Sequence, residues 1–157
     1  MTTPEARLRA VGVGLPAPAA PVANYLPFVI TGRLLVISGQ LPFDGEGRLA
    51  PEHRGKLGRD IFNEAGQTAA RLCAINILSQ TKEALGTLNR VRRCVRLVGY
   101  VNCAPGFITI PAIVNGASDL MVAAFGEKGK HARVAVGVAE LPMDAAVEIE
   151  AMFEIDP

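Results

Sequence analysis

Apolar and polar residues alternate along this chain with two periods, and each change of period marks an element. Residues 34–41 carry Leu35, Ile37 and Leu41 at even spacing with Leu34 and Val36 between them, a strand apolar on both faces. The shorter run 28–31 joins it at Gly32-Arg33, which predicts a hairpin. In residues 60–85 the period changes to three and four: Ala65, Ala69, Leu72, Ile75 and Leu78 predict one face of a long helix, with Asp60 as its N-cap and Gly86 as its stop. Residues 91–101 are β-branched and alternating, a third strand. A second helix is expected over 113–125, ended by Gly126; its first turn could reach back to Phe107, but Pro111 blurs the start. Residues 132–140 and 146–155 read as two strands closing a C-terminal hairpin around Leu141 to Asp144. Ahead of all this, residues 1–24 form a proline- and alanine-rich extended lead-in that includes Pro16, Pro18 and Pro21, with 7–13 as a short strand. The order predicts one α+β domain over residues 1–157, a mixed sheet with two helices.

Such a sheet has a face left over. Two helices cover one side, yet Leu34 and Val36 make the other side apolar as well. A second copy of the chain is the expected cover, with a folded-back N-terminal segment as the alternative. In the C-terminal strands, Val134, Val136 and Val138 share one face, as do Val147, Ile149, Ala151, Phe153 and Ile155. If both apolar faces meet the helices, Arg133 and Glu148 point together toward the partner copy, with Ala135 and Gly137 leaving space beside the arginine. An arginine with cleared space near a carboxylate suits a small carboxylate ligand, and an interface salt bridge is the plainer alternative.

Composition narrows the field. Sixteen basic and fifteen acidic residues leave a net charge of +1, too little for a strong nucleic-acid footprint. The densest basic group is Arg90, Arg92, Arg93 and Arg96, with Arg90, Arg92 and Arg96 expected on one strand face. Cys73, Cys94 and Cys103 are odd in number and widely spaced, and His53 and His131 stand alone, so neither a disulfide framework nor a metal site is expected. No apolar run approaches the ~20 residues that span a bilayer, and residues 1–9 lack a signal pattern. A cytoplasmic protein is expected.

Several segments carry a resemblance. Val36-Ile37-Ser38-Gly39-Gln40-Leu41-Pro42, with Tyr25 thirteen residues ahead of Ser38, resembles the early strand of the reactive-intermediate deaminase family (RidA, or YjgF type). His131-Ala132-Arg133, Val138-Ala139-Glu140-Leu141-Pro142 and Val147-Glu148-Ile149-Glu150-Ala151 resemble its C-terminal signature, and Asn115 sits where that family often has an asparagine. The resemblance implies a chorismate-mutase-like fold: a six-stranded mixed sheet, two helices on one face, and a homotrimer with clefts between subunits. It implies hydrolysis of enamines and imines such as 2-aminoacrylate to ketoacid and ammonia, without metal or cofactor. Arg133 would hold the substrate carboxylate and Glu148 would position or activate water. Tyr25, Ser38, Gly39, Asn115 and Ala135 would line the cleft, Tyr25 and Asn115 from neighbouring subunits. Family members have also been described as endoribonucleases and translation inhibitors, and a non-catalytic trimer that binds a small carboxylate is a third reading. Two departures stand out: Ala135 replaces a frequent cysteine, and residues 102–115 are lengthened around Pro105 and Pro111.

Overall fold

The computed structural model describes residues 2–20 and 23–157. Met1 and the lead-in positions Pro21 and Val22 lie outside the described residues. The chain opens with a helix, α1 (Pro4–Ala10), where a strand was expected. Its signals are local: Thr3 Oγ1 accepts from the Ala6 amide at 3.1 Å, Pro4 fills the first turn, and Glu5 adds negative charge there. Leu8 is its buried anchor, and α1 packs on the helix layer against the later helix at residues 110–125. Helix α1 therefore lies on the helix side and does not cover the open side of the sheet.

Strands β1 (Phe28–Thr31) and β2 (Leu34–Gln40) form the expected hairpin, turning at Gly32 with φ 57°. Helix α2 (Asn63–Leu85) starts three residues later than expected, and Phe62 occupies the cap position without a side-chain bond. Asp60 instead organises the turn before it, accepting from the Lys56 amide at 2.9 Å and from the Arg59 guanidinium. The buried stripe of α2 runs through Gly66, Ala69, Ala70, Cys73, Ala74, Ile77 and Leu78, so the face read from sequence is rotated and Ala65, Leu72 and Ile75 lie on its flank. Gly86 ends the helix in the left-handed conformation, as expected.

The remaining elements are β3 (Val91–Asn102), α3 (Ile110–Phe125), β4 (Ala132–Val138) and β5 (Val147–Ile155). Pro111 sits in the first turn of α3, where a missing amide proton is harmless. The sheet has five strands in the order β1-β2-β5-β3-β4, not six, because the expected N-terminal strand is helix α1. The fold is otherwise of the expected kind, α+β with one mixed sheet, but it carries three α-helices rather than two.

The C-terminal hairpin does not form. β5 inserts between β2 and β3, antiparallel to both, while β4 lies at the edge, parallel to β3. Helix α3 is the crossover that a parallel pair requires. This connection also reverses the expected sidedness of β4. Arg133 pairs with Leu97 and Ala135 with Gly99, and Leu97 is buried against the helices. Arg133, Ala135 and Gly137 therefore face the helix side, whereas Val134 and Val136 lie on the open side, 43% and 39% exposed. On β5 the expected faces hold: Val147, Ile149, Ala151, Phe153 and Ile155 are buried and Glu148 faces the open side.

Candidate functional site

Glu148 projects from the middle of the sheet where β2 loses regular pairing. The register of β2 against β5 shifts between Ile37 and Gln40, and Gly39 sits in that irregular stretch. A Cβ on Gly39 would lie 2.5 Å from Glu148 Oε2, so only glycine lets the carboxylate rest against the β2 backbone. Ser38 holds the incoming chain: its hydroxyl donates to Leu26 O at 2.6 Å and its amide to Pro27 O at 2.9 Å. That tether brings Tyr25 to the rim of a cavity of about 440 Å³ walled by Tyr25, Ser38, Gly39, Phe43, Met143 and Glu148. Four of the expected site residues thus share one cavity, and Tyr25 reaches it within the same chain, where the resemblance implied a neighbouring subunit. Burial, and secondarily the neighbouring Glu150 carboxylate, push the Glu148 carboxyl above its usual range.

The opposite rim is rigid. Met143 and Asp144 both adopt left-handed backbone, φ 59° and 58°, which non-glycine residues hold only under constraint. The constraint is a buried polar chain. Asn102 donates to Asp144 Oδ1 at 3.0 Å and to Ala145 O at 3.2 Å, and Lys56 Nζ donates to Asn102 Oδ1 at 2.7 Å and to Ala139 O. Asn102, Lys56 and Met143 were not among the residues singled out from sequence, and only the fold brings them together.

Arg133 belongs to a second cluster. Its Nη1 donates to Asn115 Oδ1 at 2.7 Å and to Ser118 Oγ at 3.2 Å, both one turn apart on α3. Asn115, expected only to line the cleft, thus holds Arg133 of its own chain, and Ser118 joins it. Ala135 lies two residues along the same face of β4 and packs against the core. Among the described residues, no hydrogen bond engages Nε or Nη2 of Arg133, leaving one edge of the guanidinium for a planar anion.

The two clusters do not meet within one chain, contrary to the expectation that Arg133 and Glu148 share a face. Glu148 pairs with Tyr100 and Tyr100 with Val136, three residues beyond Arg133 and one strand further out. Standard strand spacing and rise put their Cα atoms ~14 Å apart, on opposite faces. The arginine cluster also divides. Arg90 lies in a turn before β3 and donates to Leu85 O and Asp156 O, while Arg92 pairs with the Asp156 carboxylate at 3.2 Å. Register shifts at Val91/Arg93 and Cys94/Arg96 break the single strand face expected for Arg90, Arg92 and Arg96. No group of three metal-ligating side chains occurs among the described residues, and none of their helices is long and apolar enough to cross a membrane.

Residues 5–154 match the family described as YjgF/chorismate mutase-like, putative endoribonuclease. The chain belongs to that family. It is 47% identical over 152 residues to Protein TCP17 of Trypanosoma cruzi, covering 96% of this chain and 93% of the relative. A crystal structure described as a putative endoribonuclease from Shewanella oneidensis superposes with a TM-score of 0.93 at 37% identity, covering 98% and 99% of the two chains. RidA from a Psychrobacter species superposes with a TM-score of 0.61 at 31% identity, covering 91% of this chain and 97% of RidA. The family is one whose members carry endoribonuclease, translation-inhibitor and RidA names.

Proposed function

We propose that this protein hydrolyses enamine or imine intermediates of amino-acid chemistry to ketoacid and ammonia, in clefts closed between copies of the chain. The observation that carries the reading is the split site. A braced guanidinium with one free edge stands on one cluster, and a half-buried carboxylate of raised proton affinity stands on the other. Each is half of what the reaction needs. An imino acid offers a carboxylate to Arg133 and an electrophilic carbon to water. Glu148 takes a proton from that water as its oxygen bonds to the imine carbon. The C=N electron pair moves to nitrogen, which takes that proton from Glu148 to give a carbinolamine. The carboxylate then removes the hydroxyl proton and passes it to nitrogen as the carbonyl forms and the carbon–nitrogen bond breaks, releasing ketoacid and ammonia. An enamine joins the same path after protonation at its β-carbon.

Bringing the unlike halves together needs a second copy of the chain, and a head-to-tail contact whose rotation closes makes a ring. The homotrimer is the ring we propose, in keeping with the resemblance to RidA. The exposed Val29, Leu34, Val134 and Val136 on the open face would be its contact surface. A coupled assay tests the activity: a pyridoxal-phosphate dehydratase or amino-acid oxidase generates the imine, and its decay is followed with and without this protein. Accelerated decay that Arg133→Ala abolishes is expected. Binding of a small carboxylate without turnover would instead favour a regulatory trimer. Salt-sensitive RNA cleavage lost on Arg96→Ala would favour the ribonuclease reading suggested by the family's names.

A further inference from the structure

His131 and Ser118 do more than fill space beside Arg133. The Nδ1 of His131 lies 2.6 Å from Gly129 O, a carbonyl that can only accept, so Nδ1 carries the proton. In the neutral ring Nε2 is then an acceptor, and Ser118 Oγ lies 2.9 Å from it. The Ser118 hydroxyl therefore spends its single proton on His131 and turns its lone pairs toward Arg133 Nη1. The result is a one-way chain in which Arg133 donates to Ser118, Ser118 to His131, and His131 to Gly129 O. Each bond polarises the next.

The far end of this chain is anchored. A Cβ on Gly129 would collide with the α3 backbone at Met121 and Val122, so the glycine is seated directly on the helix that carries Asn115 and Ser118. The carbonyl that orients His131 is thus fixed relative to both arginine partners. Arginine has no such fixity of its own, being a long side chain with many rotamers.

Resting on the carboxylate-capture reading above, we infer that Ser118 and His131 are positioning residues. They lock Nη1 of Arg133 inward so that its Nε/Nη2 edge is presented, preformed, to the carboxylate of the ligand. Neither touches the reacting carbon. Their contribution is to the grip on the carboxylate, so it shows in KM rather than in kcat.

Two measurements test this. The first needs no ligand: the side-chain NMR signals of Arg133. In the wild-type protein its Nη protons are resolved and slow to exchange; Ser118→Ala and His131→Leu broaden or shift them. His131→Gln, which can place an acceptor near the Nε2 position, restores them, as does Ser118→Thr. The second is binding of 2-oxobutanoate by calorimetry, alongside KM and kcat for an imine substrate. Ser118→Ala and His131→Leu weaken binding and raise KM about tenfold, with kcat changed less than twofold, as expected for losing one hydrogen bond to a charged group. Arg133 signals unchanged in both variants would overturn the inference whatever the activity. Binding that Arg133→Ala abolishes but Ser118→Ala leaves intact would overturn the inference and spare the capture reading. Binding indifferent to Arg133→Ala would overturn both.

Discussion

Strands β4 and β5 look alike in sequence and behave oppositely in the fold. Both alternate valine or isoleucine with polar or small residues. In β5 the apolar set is inward, and Val147 and Ile149 are fully buried. In β4 the apolar set faces out, and the inward set is Arg133, Ala135 and Gly137. Alternation says which residues share a face; it does not say which face meets the core. That is decided by the neighbour. β5 is central, with α2 over it, and needs bulk inward. β4 is an edge strand beside α3, whose Val114 already fills the space over Gly99, so small residues suffice there. The edge position also lets the long Arg133 side chain reach Asn115 and Ser118 instead of being entombed.

The comparison can be broken most sharply at the two charged residues. Arg133→Ala and Glu148→Gln are each expected to lower imine hydrolysis at least a hundredfold, the scale of losing a general base or an oriented substrate. Thermal unfolding of both variants stays near wild type, which separates chemistry from folding. Gly39→Ala should cost roughly tenfold in activity, because the new methyl displaces the Glu148 carboxylate from its place on β2. Activity of the variant beside an unchanged fold by circular dichroism checks this.

Stability sharpens it next. Ile149→Ala on β5 should destabilise by ~2–5 kcal/mol in denaturant titration, since it opens a cavity in the core. Val134→Ser on β4, the equivalent alternation position, should change the stability of an isolated protomer by only ~0.5 kcal/mol. Its effect is expected in sedimentation, as dissociation of the assembly. Equal destabilisation by both would mean that the outward valines of β4 are already buried within the protomer.

The smallest effect concerns pH. Glu148 must be ionised to act as a base, and its raised pKa places the acid limb of kcat/KM above the ordinary carboxylate value of 4.5. Glu150→Gln removes the secondary cause, so the limb should move to lower pH. The linkage runs in the same direction. A carboxyl whose proton is held more tightly in the fold favours folding below its unfolded pKa, and that contribution is lost as pH rises through the folded value. Glu148→Gln should therefore be slightly more stable than wild type at neutral pH and not in acid.

Much of this was legible in the sequence, and the failures have identifiable causes. The β1–β2 hairpin, α2, β3 and β5 follow from period and from Gly86 and Gly126 as stops. Thr3-Pro4-Glu5 is a sound helix start, but the helix it opens is only seven residues long and runs into a proline-rich stretch, so its period is too short to stand out. The false C-terminal hairpin came from pairing neighbours in sequence; β3-α3-β4 was the stronger unit, a strand, a helix and a parallel strand. Of the site, Ser38, Gly39 and Glu148 share one cavity; Tyr25 joins them from the same chain rather than from a neighbour, and the contact of Arg133 with Asn115 was not foreseen. Ser118 could have been suspected, since it lies one helical turn after Asn115. The Asn102–Asp144 clamp could not, for it joins residues whose proximity only the finished sheet creates.

The central claim is that each site combines Glu148 of one chain with Arg133 of another, and mixing the two inactive variants tests it directly. Arg133→Ala and Glu148→Gln protein are dissociated, combined in equal amounts and reassembled. In a head-to-tail ring, random mixing leaves about a quarter of the interfaces with both residues intact. The account predicts recovery of imine hydrolysis to about that fraction of wild type, from two samples that are inactive alone. No recovery in mixed assemblies, with subunit exchange verified by mass, would contradict a site shared between chains.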